Sequence, residues 1–367
     1  MPLYLKQIGF SVLLIGILEG IAEATAGLSK GYFGKLSDTT GRRAIFIQFG
    51  YGLSALSKPL MVAFLFPLWI FFARTLDRLG KGLRTGARDA ILSDESTPET
   101  KGRVYGFHRS MDTTGAVLGP AIALVYLYFY PEDYHTLFLI AFLPGIVTVL
   151  LSLFIKDKKK TVVAGAENKR VSFFYFIKYW KESPVAYRRI VGGFLIFALF
   201  NSSDAFLLLM LKQGGLGDAQ LVGAYIFYNL IYAIFAYPFG ILADKWGLKR
   251  MFVFGLLCFF VVYLGMALNT GGNLYIYSII FFIYGLYAAA TEGISKAWIS
   301  NLVEKKDLAT AIGTYAGFQS VFAMLASTIA GLIWWLWGPL ALFLSTAIVV
   351  LLVTLYFLSL KEKLDSN

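Results

Sequence analysis

The sequence is built from apolar stretches, each about as long as the ~20 residues that an α-helix needs to cross the ~30 Å hydrocarbon core of a bilayer. In that setting a helix satisfies its own backbone hydrogen bonds, which an open strand cannot do. We find eleven such stretches, at 10–33, 44–66, 67–88, 104–130, 136–155, 190–211, 219–243, 251–268, 274–298, 310–333 and 338–360. The 58% hydrophobic content also exceeds what a soluble domain normally carries. The sequence therefore predicts an all-α, polytopic membrane protein with eleven transmembrane helices.

The basic residues mark alternate connections between these stretches. Of the 33 lysines and arginines, 26 lie in the connections at 34–43, 78–103, 156–189, 245–250, 299–310 and 361–367. The opposite connections hold only Lys6 and Lys212. Because basic connections stay on the cytoplasmic side, the pattern predicts a protein of the cell membrane with an outside N-terminus and a cytoplasmic C-terminus. The net charge of +11 is then an orientation signal, and we expect no nucleic-acid partner.

The chain also repeats itself. The segment GKLSDTTGRR at 34–43 is echoed by GILADKWGLKR at 240–250, and both copies follow an apolar stretch on the basic side. Two copies in the same orientation indicate a duplicated helical bundle. We predict an N-terminal bundle at 1–155 with five spans, a cytoplasmic basic linker at 156–189, and a C-terminal bundle at 190–367 with six. The N-terminal bundle has one span fewer than its partner, so its first helix is expected to be missing or truncated.

The repeated segment resembles the hallmark loop of the major facilitator superfamily, which has the form G-x-L-[AS]-D-x-x-G-R-[RK]. The first copy fills every position with Gly34, Leu36, Ser37, Asp38, Gly41, Arg42 and Arg43. The second copy matches at Gly240, Leu242, Ala243, Asp244 and Gly247, but Leu248 stands where the first arginine is expected. The resemblance implies two bundles that rock around a midplane site, and the first transmembrane helix of that arrangement is expected to be lacking here.

The same segment supplies a candidate conformational latch. Asp38 can cap the N-terminus of a neighbouring helix or pair with an arginine, and glycine permits tight turns and close helix approach. The resemblance implies that this pairing holds one access state closed. The alternative is that the charges only set the topology. The predicted latch residues are Gly34, Asp38, Gly41, Arg42, Arg43, Gly240 and Asp244.

Ionisable residues inside the predicted spans are candidates for a substrate or coupling site, because they are costly in hydrocarbon and are kept facing a partner or a water-filled cavity. Glu19 and Glu23 lie one turn apart on one helix face, so one carboxyl is expected to hold a proton readily. This favours proton coupling, and a fixed salt bridge between packed helices is the alternative.

Further candidates lie in five other spans. The span from residue 67 carries a charged face in which Arg74 and Asp77 lie deepest. Asn201 and Asp204 lie in the middle of the first helix of the C-terminal bundle, where the resemblance implies part of the central cavity. The remaining candidates are Lys58, Arg109, Asp112 and Glu292. Pairs spaced three or four residues apart can also satisfy each other locally, which leaves a structural role open.

These features predict a secondary active transporter that moves a small solute by alternating access and needs no cofactor. The basic residues favour an anionic or zwitterionic solute, and protons are the possible second partner. The alternative is a membrane scaffold or receptor that does not transport. An enzyme is not expected, because the sequence has no catalytic or phosphate-binding motif. One cysteine and two histidines far apart predict no metal site, and nothing requires an oligomer.

Overall fold

The computed structural model describes residues 5, 9, 12–157, 175–269, 271 and 273–360. Nearly all of these residues are helical, and this described part of the chain contains no β-strand. The helices are α1 (Val12–Thr40), α2 (Arg43–Ala63), α3 (Pro67–Asp94), α4 (Lys101–Phe129), α5 (Tyr134–Ser152), α6 (Tyr175–Glu182), α7 (Val185–Phe200), α8 (Ala205–Gln213), α9 (Asp218–Trp246), α10 (Leu248–Leu268), α11 (Leu274–Asn301) and α12 (Leu308–Ser359). The predicted all-α class is confirmed.

The helices have the length and composition of membrane spans. Among the described residues, seven helical segments are long and apolar enough to cross a membrane. The longest, Lys305–Ser359, covers 55 residues and includes two of the predicted spans. Its helix α12 is interrupted at Gly338, whose φ of 80° lies in the left-handed region, and Pro339 follows directly. The chain is thus a multi-pass membrane protein, while the count of eleven spans stays a prediction.

Both copies of the repeated segment end in the same backbone turn. Helix α1 continues to Thr40 and helix α9 to Trp246, so most of each segment is helical rather than a loop. The turn that follows is made by Gly41 (φ 66°) in the first copy and Gly247 (φ 100°) in the second. Only glycine adopts these conformations at no steric cost, which explains why both copies carry it at this position.

The span predicted at 190–211 is broken in the middle. Helix α7 ends at Phe200 and helix α8 begins at Ala205, with Asn201, Ser202 and Ser203 outside both helices. Short polar side chains compete for backbone hydrogen bonds and disfavour a helix interior. The Ser203 amide donates to Ser327 Oγ at 3.2 Å, and the Ala205 amide donates to Ser203 Oγ at 3.3 Å. Side-chain oxygens thus accept hydrogen bonds from backbone amides at the break.

The chain folds as two compact units, each assembled from three segments. Unit 1 comprises Met1–Ile91, Pro120–Ser183 and Glu304–Val321, and unit 2 comprises Leu92–Gly119, Pro184–Val303 and Phe322–Asn367. Each unit therefore contains a segment from the other half of the sequence. The predicted division into residues 1–155, 156–189 and 190–367 stays a prediction.

Unit 1 is held together by close packing of helices α2 and α5. A Cβ placed on Gly145 of α5 would lie only 3.1 Å from the Cβ of Ala55 on α2, so the two helices approach closely. At one end, Gln48 donates to the carbonyl of Ser152 at 3.2 Å. Helix α6, in the predicted linker, packs against α1, where Lys35 lies 4.6 Å from the centre of the Tyr175 ring.

Unit 2 has an aromatic core. Helix α11 packs against both α9 and α10. Phe194, Phe252, Trp298 and Phe357 form a cluster in which the ring centroids of Phe194 and Phe252 lie 4.6 Å apart. All four side chains are buried, and such ring pairs add to the apolar area removed from lipid or water. Through Phe194 this cluster joins α7 to α10, α11 and α12.

Candidate functional site

A cavity of about 430 Å³ opens at the break between α7 and α8, inside unit 2. Cavities of this size are typical of sites for small molecules. Helices α4, α9, α11 and α12 complete its wall. The lining residues are Arg109, Asn201, Ser202, Ser203, Asp204, Tyr228, Asn229, Tyr232, Tyr284, Tyr287, Ala288, Glu292, Ala323 and Ser327. Four of the predicted site residues, Arg109, Asn201, Asp204 and Glu292, therefore line one cavity.

Asp204 is held by two tyrosines from different helices. The hydroxyl of Tyr284 on α11 donates to Asp204 Oδ1 at 2.5 Å, and the hydroxyl of Tyr228 on α9 donates to Oδ2. Within the described part of the chain, no lysine or arginine forms an ion pair with this carboxylate. Asp204 is also the N-cap residue of α8, where the helix dipole favours a negative charge. The geometry fixes an acidic group at the cavity wall.

Tyrosine rings continue this wall. Asn201 Nδ2 donates to the hydroxyl of Tyr287 at 2.8 Å. The ring centroids of Tyr228 and Tyr284 lie 5.1 Å apart, and those of Tyr284 and Tyr287 lie 5.4 Å apart. We call Tyr228, Tyr284 and Tyr287 the tyrosine wall. Local pairing of Asn201 with Asp204, the structural alternative to a role in a site, is not what the structure shows, because each residue bonds to this wall instead.

Arg109 on α4 joins two carboxylates. It donates to Asp112 Oδ2 at 3.0 Å, one turn along the same helix, and to Glu292 of α11. The side chains of Arg109 and Glu292 are 24% and 31% exposed, so the cavity reaches this pair. A guanidinium with two acidic neighbours contributes little net positive charge to the site.

The charged candidates in unit 1 form a separate group. Asp77 of α3 accepts from Lys58 of α2 at 3.0 Å and from Arg74 at 3.4 Å. Arg84, further along α3, donates to Ser54 Oγ at 2.7 Å and lies 4.5 Å from the centre of the Tyr51 ring. The structure thus brings Lys58, Arg74 and Asp77 together. Glu19 and Glu23 are on α1, but their side chains lie outside the part of the chain that the structure describes.

The first copy of the repeated segment forms a buried ion pair and a helix cap. Asp38 Oδ1 accepts from Arg43 at 2.8 Å, and Oδ2 accepts both the backbone amide and the hydroxyl of Thr310, each at 2.8 Å. The side chains of Asp38 and Arg43 are 2% and 4% exposed. Burial raises the pKa of Asp38 above its ordinary value, whereas Arg43 and Thr310 oppose this effect, so the ionised form depends on these partners. Arg43 also donates to the carbonyl of Lys305 at 3.1 Å.

The second copy repeats the cap without the ion pair. Asp244 accepts the backbone amides of Gly102 at 2.6 Å and Arg103 at 2.9 Å, at the start of α4. Leu248 stands where the first copy has Arg42, which itself lies at the N-cap of α2 without a capping bond from its side chain. Each aspartate therefore caps a helix from the other half of the sequence.

The two glycines that begin the copies allow the same close approach. A Cβ on Gly34 would collide with the carbonyl oxygen of Ala309, and a Cβ on Gly240 would collide with that of Gly102. The partner helices also carry glycine one turn further along, at Gly313 and Gly106. A Cβ on either residue would collide with the backbone of the facing helix. Contact between backbones leaves no space for a side chain at these crossings.

Sequence reasoning missed the tyrosine wall and Thr310. Tyr284 and Tyr287 are three residues apart, and Tyr228 lies three residues after Tyr225, so each helix presents tyrosines on one face. Polar hydroxyls at helical spacing inside a span were a usable signal, although tyrosine is also common in apolar cores. Thr310 carried no signal, because only the fold brings it to Asp38.

Comparisons with known proteins fit this arrangement. A model described as Major Facilitator Superfamily matches residues 1–230 and 216–367. An uncharacterised MFS-type transporter of Methanocaldococcus jannaschii is 32% identical over 340 residues, which cover 91% of this chain and 83% of that protein. A multi-drug resistance efflux pump homologue of Lactococcus lactis is 21% identical over 346 residues, 90% of this chain and 82% of that protein.

A solved structure shares the fold. The crystal structure of the human organic anion transporter MFSD10 matches with a TM-score of 0.81, covering 97% of this chain and 88% of that one. The two sequences are 15% identical, so this likeness concerns the fold alone.

Proposed function

The chain belongs to the major facilitator superfamily, and from that premise we propose that it is a secondary transporter that moves a small solute by alternating access. Its family makes it a multi-pass membrane transporter and not an enzyme. Rocking of two helical bundles about a midplane site would expose the solute to each side in turn. Since the sequence has no nucleotide-binding motif, the driving force is an ion gradient or the gradient of the solute itself.

The observation that carries the proposal is the cavity at the α7–α8 break. A broken span exposes backbone groups at membrane depth, and such backbone is tolerated where it lines a cavity or is buried in protein. Here the break carries Asn201 and Asp204, and Arg109 and Glu292 lie in the same cavity. A span that only packed against its neighbours could form one continuous helix instead.

The charges favour a polar solute. Basic residues near the predicted path favour an anionic or zwitterionic molecule. In unit 2, however, Arg109 already faces Glu292 and Asp112, and in unit 1 Lys58 and Arg74 both face Asp77. Around Arg109 two carboxylates face one guanidinium, so the unit 2 group offers no uncompensated positive charge, which favours the zwitterionic form of the proposal.

We also propose that transport is coupled to protons. It rests on Glu19 and Glu23, two carboxylates one turn apart in the first predicted span. If a cation approaches them in only one access state, proton binding will bias the equilibrium between the states. We place the protein in the cell membrane with its C-terminus in the cytoplasm, as the distribution of basic residues indicates.

Cysteine accessibility tests alternating access without knowledge of the solute. The chain has one cysteine, Cys258, which is buried, so a Cys258→Ala background is free of thiols. On this background Ser203→Cys places a thiol in the cavity, and Glu182→Cys on α6 provides the control in the predicted cytoplasmic connection. A membrane-impermeant maleimide is added to right-side-out and to inverted vesicles.

A transporter is expected to be labelled at Ser203→Cys in both kinds of vesicle, because the cavity opens to each side in turn. Glu182→Cys should react only in inverted vesicles. The alternative function, a scaffold or receptor that does not transport, predicts labelling of Ser203→Cys from one side at most. That result, obtained with a correctly oriented control, would reject the proposed transport cycle.

A further inference from the structure

We propose that Asp204 and the tyrosine wall form a subsite for a positively charged nitrogen, either a protonated amine or a quaternary ammonium group of the solute. The proposal rests on the transporter function for its biological meaning, but the binding that it predicts can be measured without transport. Its position is the α7–α8 break in unit 2.

The first argument is charge. Asp204, Glu292 and Arg109 are the charged residues among those that line the cavity. Arg109 is bonded to Glu292 and to Asp112, whereas Asp204 has no basic partner among the residues that the structure describes. An acidic group inside a membrane span is costly unless a cation or a polar environment compensates it. The uncompensated charge of the cavity is therefore negative and lies at Asp204.

The second argument is hydrogen-bonding capacity. A carboxylate has about four acceptor positions, and the hydroxyls of Tyr284 and Tyr228 occupy one on each oxygen. The two tyrosines fix the orientation of the carboxylate and leave acceptor positions on both oxygens. An ammonium group has only donors, so it matches these remaining positions, whereas an anion would meet lone pairs of the same sign.

The third argument is the aromatic wall. Neighbouring rings of Tyr228, Tyr284 and Tyr287 are in contact: Tyr228 and Tyr284 meet edge to face with centroids 5.1 Å apart, and Tyr284 and Tyr287 are tilted by 35° with centroids 5.4 Å apart. A cation within about 6 Å of a tyrosine ring is attracted by the negative face of the ring, and the attraction grows when water is excluded. Tyr284 and Tyr287 are only 4% and 3% exposed, which indicates that little water reaches these two residues.

A metal ion fits the subsite less well than an organic cation. Within the described residues, no three His, Cys, Asp or Glu side chains come together in a group that could hold a metal. Hard cations require six or more oxygen ligands in a tight shell. A cavity of about 430 Å³ with aromatic walls is instead suited to a bulky, weakly hydrated head group.

The test uses the purified full chain and three small probes of similar size. Benzyltrimethylammonium carries a positive charge, benzyl alcohol is neutral and benzoate is negative. Binding of each probe is measured by isothermal titration calorimetry. Wild-type protein is expected to bind benzyltrimethylammonium more tightly than either of the other two. Tighter binding of benzoate, or equal binding of the neutral probe, would overturn the subsite.

The variants locate the binding. Asp204→Asn removes the charge but keeps an oxygen for one tyrosine, and should weaken benzyltrimethylammonium binding by at least about tenfold, as expected for loss of a charged partner. Glu182→Gln makes the same charge change on α6, outside the cavity, and should bind like wild type. Unchanged affinity in a folded Asp204→Asn protein would overturn the proposal.

A second variant covers the case in which Asp204→Asn does not fold. Tyr287→Leu removes a ring without touching the carboxylate and should lower the affinity for benzyltrimethylammonium several-fold while benzyl alcohol changes little. Equal losses for both probes would contradict the cation–ring contact.

If Ser203→Cys is labelled from both sides but no cation preference is found, the subsite is rejected and the transporter stands. If the preference is found but labelling is one-sided, the transport cycle is rejected and the subsite stands.

Discussion

The substitution Asp38→Asn tests whether the first copy of the repeated segment acts as a latch. Asp38 accepts three hydrogen bonds of 2.8 Å, one from Arg43 and two from Thr310. Asparagine has one oxygen, so it can still cap Thr310 but cannot neutralise Arg43. Stranding one partner of a buried ion pair costs about 3–5 kcal/mol. Arg43 keeps its bond to the carbonyl of Lys305, which reduces the expected loss to about 2–3 kcal/mol.

This loss should appear as a change in the balance between access states. If the latch stabilises the state that is closed to the cytoplasm, about 2–3 kcal/mol corresponds to a roughly 30- to 150-fold change in that equilibrium. The assay is the labelling rate of Ser203→Cys in inverted vesicles, and we expect Asp38→Asn to increase it at least about tenfold. Solute transport should fall, while the amount of protein in the membrane should not.

The second copy supplies a matched control. Asp244 accepts only two backbone amides, one on each oxygen, so asparagine keeps one of these bonds and strands no charged partner; asparagine is also a good helix-capping residue. Asp244→Asn should therefore change the labelling rate much less than Asp38→Asn. If Asp38→Asn gives folded protein with an unchanged labelling rate, or if Asp244→Asn has the larger effect, the segment is a topology signal and the latch interpretation is incorrect.

Four further outcomes are expected. Gly34→Ala should destabilise the folded protein by about 1–3 kcal/mol, because its Cβ meets the Ala309 carbonyl, whereas Gly115→Ala, with open space around it, should not lower the melting temperature. Glu23→Gln should abolish acceleration of uptake by a pH gradient but spare solute exchange; full gradient-driven flux in the folded variant would remove that residue from proton coupling. Arg109→Lys should lower the melting temperature, since an ammonium lacks the planar fork that joins two carboxylates; an unchanged value would indicate that the pairs contribute nothing. A reporter fused to the C-terminus should be active only in the cytoplasm, and an external signal would reverse the assigned orientation.

The all-α membrane fold and the family could be predicted from the sequence because each rests on a local pattern. Apolar length indicates the helices, and the segments at 34–43 and 240–250 carry the motif of the family. The glycines of the copies could be assigned a turn in advance, and Gly41 and Gly247 do make the same left-handed turn. Local rules were sufficient wherever the backbone itself sets the constraint.

The partners of the site residues could not be predicted in the same way. Asn201 and Asp204 are close in sequence, and their spacing left local pairing open as an alternative, yet each bonds to tyrosines more than 20 residues away. The break that places them in a cavity depends on neighbouring side chains such as Ser327 that accept the open backbone amides. Such partners come from separate helices, so the spacing along one helix carries no information about them.

The exchange of helix caps between the halves also bears on how a duplicated protein of this kind can arise. The carboxylate of Asp38 closes the start of α12, and that of Asp244 closes the start of α4, so neither half has its own aspartate on its own helix. A product of a single half would leave its aspartate without a helix to cap and one helix start without a cap, and a second copy of itself would supply both missing groups. The exchanged caps are thus those expected of an ancestral homodimer whose gene was duplicated and fused.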